Sequence, residues 1–410
     1  MGARGDYAGR SMGRGRASIL VAVVALTGCA GHRPAAAPEP RPGTVERPAP
    51  QTAPAVRSNG IWISPATLRH LPTTGAAWER LLADAEADPG SADVADQDSG
   101  HDVATLAAAL VCARTRSREL CDKARAGLVS AIGTERGARW LAVGRNLTAY
   151  VIAADVIGLR ADGDPESAGT RVETWLRGFE TERLANNNTG EPIPFIPFAS
   201  GSNASAQEGA AYAAVAAYLG DRAALDRAWD AFRTYVCDPS APDRERIDLH
   251  SGVEAGWASD DRHPCAVDPA GAAKQVPPGR PGAGQVLQLS GAIINDMARG
   301  GDLAWPPGMT QYPWVGLEGL VPAAVILNRA GYPAFAVADQ AVLRAVRYLH
   351  DLQLSTGSGK WFKERRSNEI IQLVNAAYGA RFRVDLPAGA GRTVGYTDWT
   401  HATWDAAPAS

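Results

Sequence analysis

The sequence lacks an excess of positive charge. Lysine and arginine together number 41 against 44 aspartates and glutamates, which gives a formal net charge of −3. Residues 1–29 hold four arginines and one aspartate, so the rest of the chain is near −6. A protein that binds nucleic acid needs positive charge to neutralise phosphates. The charge balance therefore argues against a nucleic-acid partner.

Long apolar runs and metal-binding motifs are also missing. Beyond residue 29, no apolar run approaches the roughly 20 residues that a membrane span requires. Neither a Cys-x-x-Cys nor a His-x-x-x-His spacing occurs, which argues against zinc. No acidic loop has the spacing of a calcium site. We therefore expect no metal or other cofactor.

The N-terminus has the features of an export signal. Four arginines precede the apolar run 19–26, and the sequence Leu-Thr-Gly-Cys occupies 26–29. A basic segment, a short apolar segment and small residues at the cleavage site are typical of a secretory signal. The last four residues resemble a lipobox, so we expect Cys29 to be lipidated and to anchor the protein at the bacterial cell surface or in the periplasm. An ordinary signal cleaved near Ala30 is the alternative.

Composition divides the remaining chain into two parts. Residues 30–57 are mostly Ala, Pro, Arg, Thr, Glu and Gly without apolar periodicity, so they cannot bury enough surface to fold and are predicted to be a disordered tether. Residues 58–405 are predicted to form one domain, long enough for a sizeable core.

Four cysteines remain when Cys29 is set aside. An even number in an exported chain favours disulfides. We expect Cys112 to pair with Cys121 across a short connection between two helices, and Cys237 to pair with Cys265, closing a long loop. Free buried thiols are the alternative.

Apolar residues recur at helical spacing along most of the domain, whereas strand-like alternation is nearly absent. The fold class is therefore predicted to be all-α. The predicted helices are 103–113, 117–132, 138–159, 171–184, 206–219, 222–236, 285–297, 312–330, 334–354 and 368–378.

Short turns between successive helices predict antiparallel hairpins that curl into an (α/α) toroid, an incomplete α/α barrel, rather than a four-helix bundle. Ser205 and Glu208 match a capping box at the start of the helix 206–219, which would explain Glu208 without catalysis. Two long irregular stretches, 185–203 and 239–284, are expected to be ordered and to form a cleft.

A series of motifs occurs in order along the domain. These are Trp62-Ile63-Ser64, Asp96-Gln97-Asp98-Ser99-Gly100-His101-Asp102, Gly144-Arg145-Asn146-Leu147-Thr148-Ala149-Tyr150, Tyr218-Leu219-Gly220-Asp221, Arg299-Gly300-Gly301, Gly331-Tyr332-Pro333 and Gly395-Tyr396-Thr397-Asp398-Trp399-Thr400-His401. Their order and spacing resemble a bacterial group of exported alginate-lyase-like proteins, related to the alginate lyase and chondroitin AC lyase superfamily. The resemblance covers roughly residues 60–401 and implies an (α/α) toroid.

The resemblance implies a polysaccharide lyase that cleaves an anionic, uronic-acid-containing polysaccharide by β-elimination. The proton next to a charged carboxylate is only weakly acidic. Such an enzyme must therefore neutralise the carboxylate, stabilise the enolate and supply a base and an acid.

The resemblance implies that Asn203 neutralises the carboxylate of the uronic-acid sugar. Ala204 stands where these lyases often carry the histidine base, so the resemblance assigns Tyr312 as both base and acid. A phenol ordinarily titrates near ~10, so Arg299 would favour its ionised form. Structural roles are the alternatives: packing for Tyr312, a helix C-terminus for Arg299 and a residue beside a helix cap for Asn203.

Further candidates for substrate contact come from aromatic and polar residues. Trp257 and Trp314 could stack on a sugar face, although aromatic rings more often fill a core. Arg145 and Asn146 would lie on the cleft-facing side of an inner helix, or on a solvated face. His250 and His401 are the remaining candidates, and His401 could instead dock the chain end. The dense basic patch 360–366 could attract a polyuronate or form a solvated loop.

Two other functions remain open at this point. An inverting glycoside hydrolase on the same fold would need two carboxylates roughly 6.5–9.5 Å apart, with Asp296, Glu254, Asp260 and Glu318 as candidates. A non-catalytic glycan-binding lipoprotein would agree with Ala204 in place of the base. Fold analogy alone does not separate these functions.

Overall fold

The computed structural model describes residues 60–186, 189–242, 256–260, 265–357, 368–383 and 389–402. The fold is mostly α-helical, as the sequence predicted. The helices are α1 Pro65–His70, α2 Ala76–Glu86, α3 His101–Thr115, α4 Arg118–Ala131, α5 Trp140–Val156, α6 Ala168–Gly178, α7 Asn203–Leu219, α8 Arg222–Tyr235, α9 Ile294–Ala298, α10 Tyr312–Arg329, α11 Val337–Thr356, α12 Asn368–Tyr378 and α13 Thr397–Thr400. Two antiparallel hairpins pair β1 Arg183–Ala185 with β2 Pro192–Pro194, and β3 Ala273–Gln275 with β4 Val286–Gln288.

Four helices form a buried row in the order α3, α5, α7, α10. Nearly every residue of α5, α7 and α10 is buried, because each of these helices is covered on several sides. Amphipathic helices pack on this row, with α4 against α3, α8 against α7 and α11 against α10. The hydrophobic core therefore lies around the row, and internal and outer helices alternate from α3 to α8.

Two glycines let the helices of the row approach very closely. A Cβ added to Gly144 of α5 would lie 2.5 Å from the backbone nitrogen of Glu208 on α7. A Cβ added to Gly319 of α10 would lie 2.3 Å from the backbone nitrogen of Gln207 on the other side of α7. Because the neighbouring atoms are backbone, a side chain at either position would push the helices apart.

Gly319→Ala should therefore destabilise the protein, although alanine ordinarily favours helix. Overpacking of this kind costs about 1–3 kcal/mol of unfolding free energy, which urea denaturation measures. Gly178, at the end of α6, is the matched control because an added Cβ would meet nothing within 4 Å. Gly178→Ala should be neutral or stabilising by up to about 1 kcal/mol. Equal effects of the two substitutions would contradict the close contact of α7 and α10.

Both predicted disulfides are present. Cys112 and Cys121 join α3 to α4 with their Cα atoms 4.8 Å apart. Cys237, just after α8, pairs with Cys265 at a Cα separation of 5.3 Å. Within the described ranges, no helix is long and apolar enough to cross a membrane.

Some predicted helix boundaries are wrong. The segment 285–297 is not one helix but strand β4 followed by the short helix α9, and Gly291 between them adopts a positive φ of 92°. Helix α6 ends at Gly178, so β1 occupies the end of the segment predicted as helical. Helices α1, α2 and α13 were not predicted at all.

The start of α7 also differs from the prediction. The helix begins at Asn203, and the Ser202 hydroxyl caps it by accepting from the backbone N–H of Ser205 at 3.3 Å. Ser205 is therefore inside the helix and does not form the expected capping box with Glu208. Glu208 is instead fully buried one turn further on, where burial raises the pKa of its carboxyl well above the ordinary value.

Candidate functional site

A cavity of about 590 Å³ lies where the N-terminal ends of α5, α7 and α10 meet. Because these three of the four helices of the row present the same end to this space, residues from distant parts of the chain converge there. The lining includes Trp140 and Arg145 from α5, Ser202, Asn203 and Ala204 from the start of α7, and Tyr312 and Val315 from α10.

The helix ends make the cavity favourable for anions. The N-terminal end of an α-helix carries partial positive charge and backbone N–H groups without intrahelical partners. The N-cap residues of α5 and α10, Arg139 and Gln311, make no side-chain cap hydrogen bond. At the start of α10, the Tyr312 backbone N–H instead donates to the Thr310 hydroxyl at 3.3 Å, so these helices favour an anion in the cavity through their dipoles.

The charged side chains around the cavity have the same sign. Arg145, Arg299 and Arg392 all line it. Among the lining residues in the described part of the chain, no aspartate or glutamate occurs. Arg392 is partly neutralised at 2.6 Å by Asp98, whose side chain is largely exposed. In a protein with a net negative charge, this is a local positive site.

Arg145 is held in one orientation by a buried hydrogen-bond chain. Its side chain is only 3% exposed. Nε donates to Oε1 of Gln207 at 3.1 Å, and Nη1 donates to the carbonyl of Gln97 at 3.1 Å. Gln207 in turn donates through Nε2 to the carbonyl of Val315 at 3.1 Å. The chain links α5, α7 and α10 directly beside the cavity.

Arg299 and Tyr312 meet at the rim of the cavity. The guanidinium carbon of Arg299 lies 4.3 Å from the centroid of the Tyr312 ring, a cation–π contact. Arg299 follows α9 as its C-terminal cap, and Tyr312 is the first residue of α10, as the sequence predicted. Tyr312 is half-buried and Arg299 is exposed, so both can contact a molecule in the cavity.

Asn203 is hydrogen-bonded to a buried carboxylate beneath the cavity. Its side-chain Nδ2 donates to Oδ1 of Asp296 at 2.8 Å, and its backbone N–H donates to the same oxygen at 3.3 Å. Asp296 is fully buried, and burial raises the pKa of its carboxyl to about 7 against the opposing effects of Asn203 and the Arg299 charge. Oδ2 of Asp296 has no hydrogen-bond partner within the described ranges. A Cβ on Gly316 would lie 2.5 Å from that oxygen.

The buried Asp296 should make the protein less stable as the pH rises. The folded carboxyl keeps its proton up to about pH 7, whereas the unfolded one releases it near ~3.9. Between these values the folded state binds more protons, so stability falls from about pH 4 to 7 and the loss is complete above that range. Asp296→Asn keeps an oxygen that can accept from Asn203 and removes the titration.

We therefore expect Asp296→Asn to stabilise the protein at pH 8 by up to about 4 kcal/mol. The gain should shrink as the pH approaches 5. Urea denaturation of both proteins at several pH values measures this difference. A difference that stays constant from pH 5 to 8 would show that Asp296 does not titrate in this range.

The cavity brings together four of the residues that the sequence singled out: Arg145, Asn203, Arg299 and Tyr312. Two others serve the core. Trp257 is fully buried and donates through Nε1 to the carbonyl of Gly301 at 2.8 Å, so it cannot stack on a sugar. Asn146 is also buried, and its amide donates to three backbone carbonyls between Asp93 and Asp96 at 2.8–3.4 Å. Its role is to hold that loop against α5.

Trp314 and His401 are likewise buried and do not line the cavity. The ring of His401 contacts the Trp62 ring edge-on at 4.9 Å, and its Nδ1 lies 2.8 Å from the Thr400 hydroxyl. His401 therefore docks the C-terminal segment in the core. His250, Cys29, the tether 30–57 and the basic patch 360–366 lie outside the described residues.

Three residues of the site were not predicted in these roles. Gln207 could have been suspected, because a polar residue inside the alanine-rich α7 is unusual. Arg392 follows no helix pattern and gave no signal. The sequence offers Asp296 only as a candidate hydrolase acid, but like Glu318 it is buried away from the lining.

The remaining hydrolase candidates do not contribute to the cavity either. Asp260 is exposed but is not among the lining residues, and Glu254 lies outside the described ranges.

No protein-family model, curated protein or solved structure matches the chain.

Proposed function

We propose that the protein is a polysaccharide lyase that cleaves a uronic-acid-containing polysaccharide by β-elimination in this cavity. The observation that carries the proposal is the convergence of Arg145, Asn203, Arg299 and Tyr312 on one space whose described lining has no carboxylate. A cation-rich cavity with a phenol at its rim suits an anionic sugar that must lose a proton.

Tyr312 performs the proton transfers in this proposal. Its phenolate removes the proton from the carbon next to the uronate carboxylate, and the electron pair moves into the carboxylate as an enolate. The double bond then forms towards the neighbouring carbon as the glycosidic C–O bond breaks, and the phenol returns the proton to the departing oxygen. The Arg299 guanidinium, 4.3 Å from the ring centroid, supplies positive charge beside the phenolate.

Arg145 and Asn203 stabilise the negative charge of the sugar. Arg145 is fixed by Gln207 and Gln97 and needs little reorganisation when the substrate binds. Asn203 uses an N–H of its amide for Asp296. Because the amide nitrogen carries two N–H groups, the second can donate to a sugar carboxylate.

The fold proposed for this function is an (α/α) toroid of the alginate-lyase-like group. The internal row α3, α5, α7, α10 with amphipathic helices outside it supports this arrangement. Helix α12 contacts both α10 and α13, α13 contacts α2, and α2 packs against α3. An ion pair of 2.6 Å between Arg80 on α2 and Asp398 on α13 reinforces the contact of α13 with α2. These contacts would close the row into a ring.

An exported, lipid-anchored location fits the same proposal. Disulfides persist in oxidising compartments, and the chain forms two of them. The lipobox at Cys29 and the tether 30–57 would hold the domain outside the cytoplasm, within reach of polymers that cannot enter the cell.

A second candidate is a non-catalytic glycan-binding protein. Ala204 lines the cavity beside Asn203, at the position where the resemblance leads us to expect a histidine base. If Tyr312 cannot replace that base, the cavity would bind an anionic glycan without cleaving it.

A substrate screen tests the proposal. Purified protein is incubated with alginate, hyaluronan, chondroitin and heparin, and ultraviolet absorbance and reducing ends are followed in parallel. A lyase raises both, because elimination leaves an unsaturated sugar. Reducing ends without absorbance would identify a hydrolase, and retained binding without either signal would identify the non-catalytic protein.

A further inference from the structure

Asp296 and an anion bound in the cavity would both accept hydrogen bonds from the side-chain amide of Asn203. The carboxylate of Asp296 already holds the side-chain amide and the backbone N–H of Asn203. An anion that accepts the second amide N–H from inside the cavity would lie on the opposite side of a single carboxamide. Two negative charges would then be separated by only a few ångströms, without solvent around Asp296.

We propose that Asp296 is a positioning residue that couples anion binding in this cavity to the uptake of one proton. The anion enters as a carboxylate and accepts the second amide N–H of Asn203, while the first stays on Oδ1 of Asp296 and a proton from water is added to the Asp296 carboxyl. This inference rests on the proposed function only in taking a carboxylate as the ligand.

The surroundings of Asp296 favour it as the proton acceptor. Oδ2 has no hydrogen-bond partner within the described ranges, and it lies against the bare backbone of Gly316 on α10, where an added Cβ would come within 2.5 Å of it. Arg299 faces it from the end of its own helix, and Tyr235 faces it from the end of α8. Burial raises the pKa of the Tyr235 hydroxyl well above its ordinary value, so Tyr235 stays neutral and does not compete.

The direction of the coupling follows from the charges. With the cavity empty, burial puts the pKa of Asp296 at about 7. A carboxylate nearby raises the pKa further, because like charges disfavour ionisation. The complex therefore holds a proton at pH values where the empty protein has released it. Anion affinity should consequently fall as the pH rises above about 7.

Binding of D-glucuronate tests this inference, because the free sugar offers a carboxylate without a glycosidic bond to break. The side-chain amide signals of Asn203 are followed by NMR during titrations between pH 6 and 8.5. We expect glucuronate to shift these signals and its dissociation constant to rise about tenfold over this range. D-glucose, which has no charge, should leave the signals unchanged.

Two variants distinguish this coupling from general electrostatics. Asp296→Asn should bind glucuronate with an affinity that does not depend on pH. Asp122→Asn removes an exposed carboxylate on α4 that pairs with Arg125 at 2.9 Å, and it should keep the wild-type dependence.

Three results would overturn the inference: no glucuronate binding at any pH, a wild-type affinity independent of pH, or an unchanged dependence in Asp296→Asn. Proton-linked binding without cleavage of any polymer would instead refute the lyase and leave this inference standing. Cleavage of a polymer without proton-linked binding would refute this inference and leave the lyase standing.

Discussion

Tyr312→Phe is expected to lower kcat on the uronate polymer by about 10²–10⁴-fold, the contribution typical of a general base and acid. The substitution removes the hydroxyl but keeps the ring that lies 4.3 Å from the Arg299 guanidinium. KM and the free energy of unfolding should therefore change little. Steady-state rates of product formation, together with urea denaturation, measure both effects.

A matched control is available on α7. The Tyr212 hydroxyl lies 3.1 Å from Nε of Arg227 in the outer part of the fold, and Tyr212 does not line the cavity. Tyr212→Phe should leave kcat within about twofold of the wild-type value, since it touches no reacting group. Full lyase activity in Tyr312→Phe would refute the proposed base and acid, although the cavity would remain a binding site.

Arg145→Gln is expected to lower kcat/KM by about 10²–10³-fold, because it removes a preorganised positive charge from the enolate. Glutamine is too short to reach both Gln207 and Gln97, so the hydrogen-bond chain beside the cavity is also broken. Arg145→Lys keeps the charge but loses the planar set of donors, and it should show a smaller loss. Initial rates at several substrate concentrations give kcat/KM for the wild-type protein, Arg145→Gln and Arg145→Lys.

Arg329→Gln separates this effect from the loss of a buried arginine in general. Arg329 is also buried, and its Nε donates to the carbonyl of Gly60 at 2.9 Å, but it does not line the cavity. The substitution should destabilise the fold and leave kcat/KM close to the wild-type value. Equal losses of activity in Arg329→Gln and Arg145→Gln would show that Arg145 acts only through stability.

Helix periodicity predicted the elements that build the cavity. Helices α5, α7 and α10 were expected within a few residues of their positions, because their apolar residues repeat with helical spacing. The pairing of Cys112 with Cys121 also followed from the sequence, since the two residues flank a short turn between helices. The sequence pattern was sufficient for these features because each of them is formed by residues that are close in the sequence.

The helix starts and the loop residues were harder to predict. Ser205 looked like an N-terminal cap, but Ser202 takes that role and the helix begins three residues earlier than expected. The difference matters because it places Asn203 in the first turn, at the cavity, with its backbone N–H directed to Asp296. That contact spans 93 residues of sequence and has no local signature.

Both tryptophans that the sequence offered for sugar stacking, Trp257 and Trp314, are buried. Trp257 lies in a long irregular stretch, and sequence pattern gives no face for a loop residue. The structure shows it fully buried against Gly301. Arg145 and Asn146 are adjacent on α5, yet only Arg145 lines the cavity while Asn146 holds the loop near Val94. Neighbouring polar residues of an internal helix face different partners, which only the packing of α5 reveals.

The masses of the cleavage products test the central claim most directly. Oligosaccharides released from a uronate polymer are analysed by mass spectrometry. If the cavity of Arg145, Asn203, Arg299 and Tyr312 performs β-elimination, each new non-reducing end will be one water lighter than a hydrolysis product, and Tyr312→Phe will release almost none. Fragments whose masses match those of hydrolysis products, or a polymer that is not cleaved, would contradict the lyase.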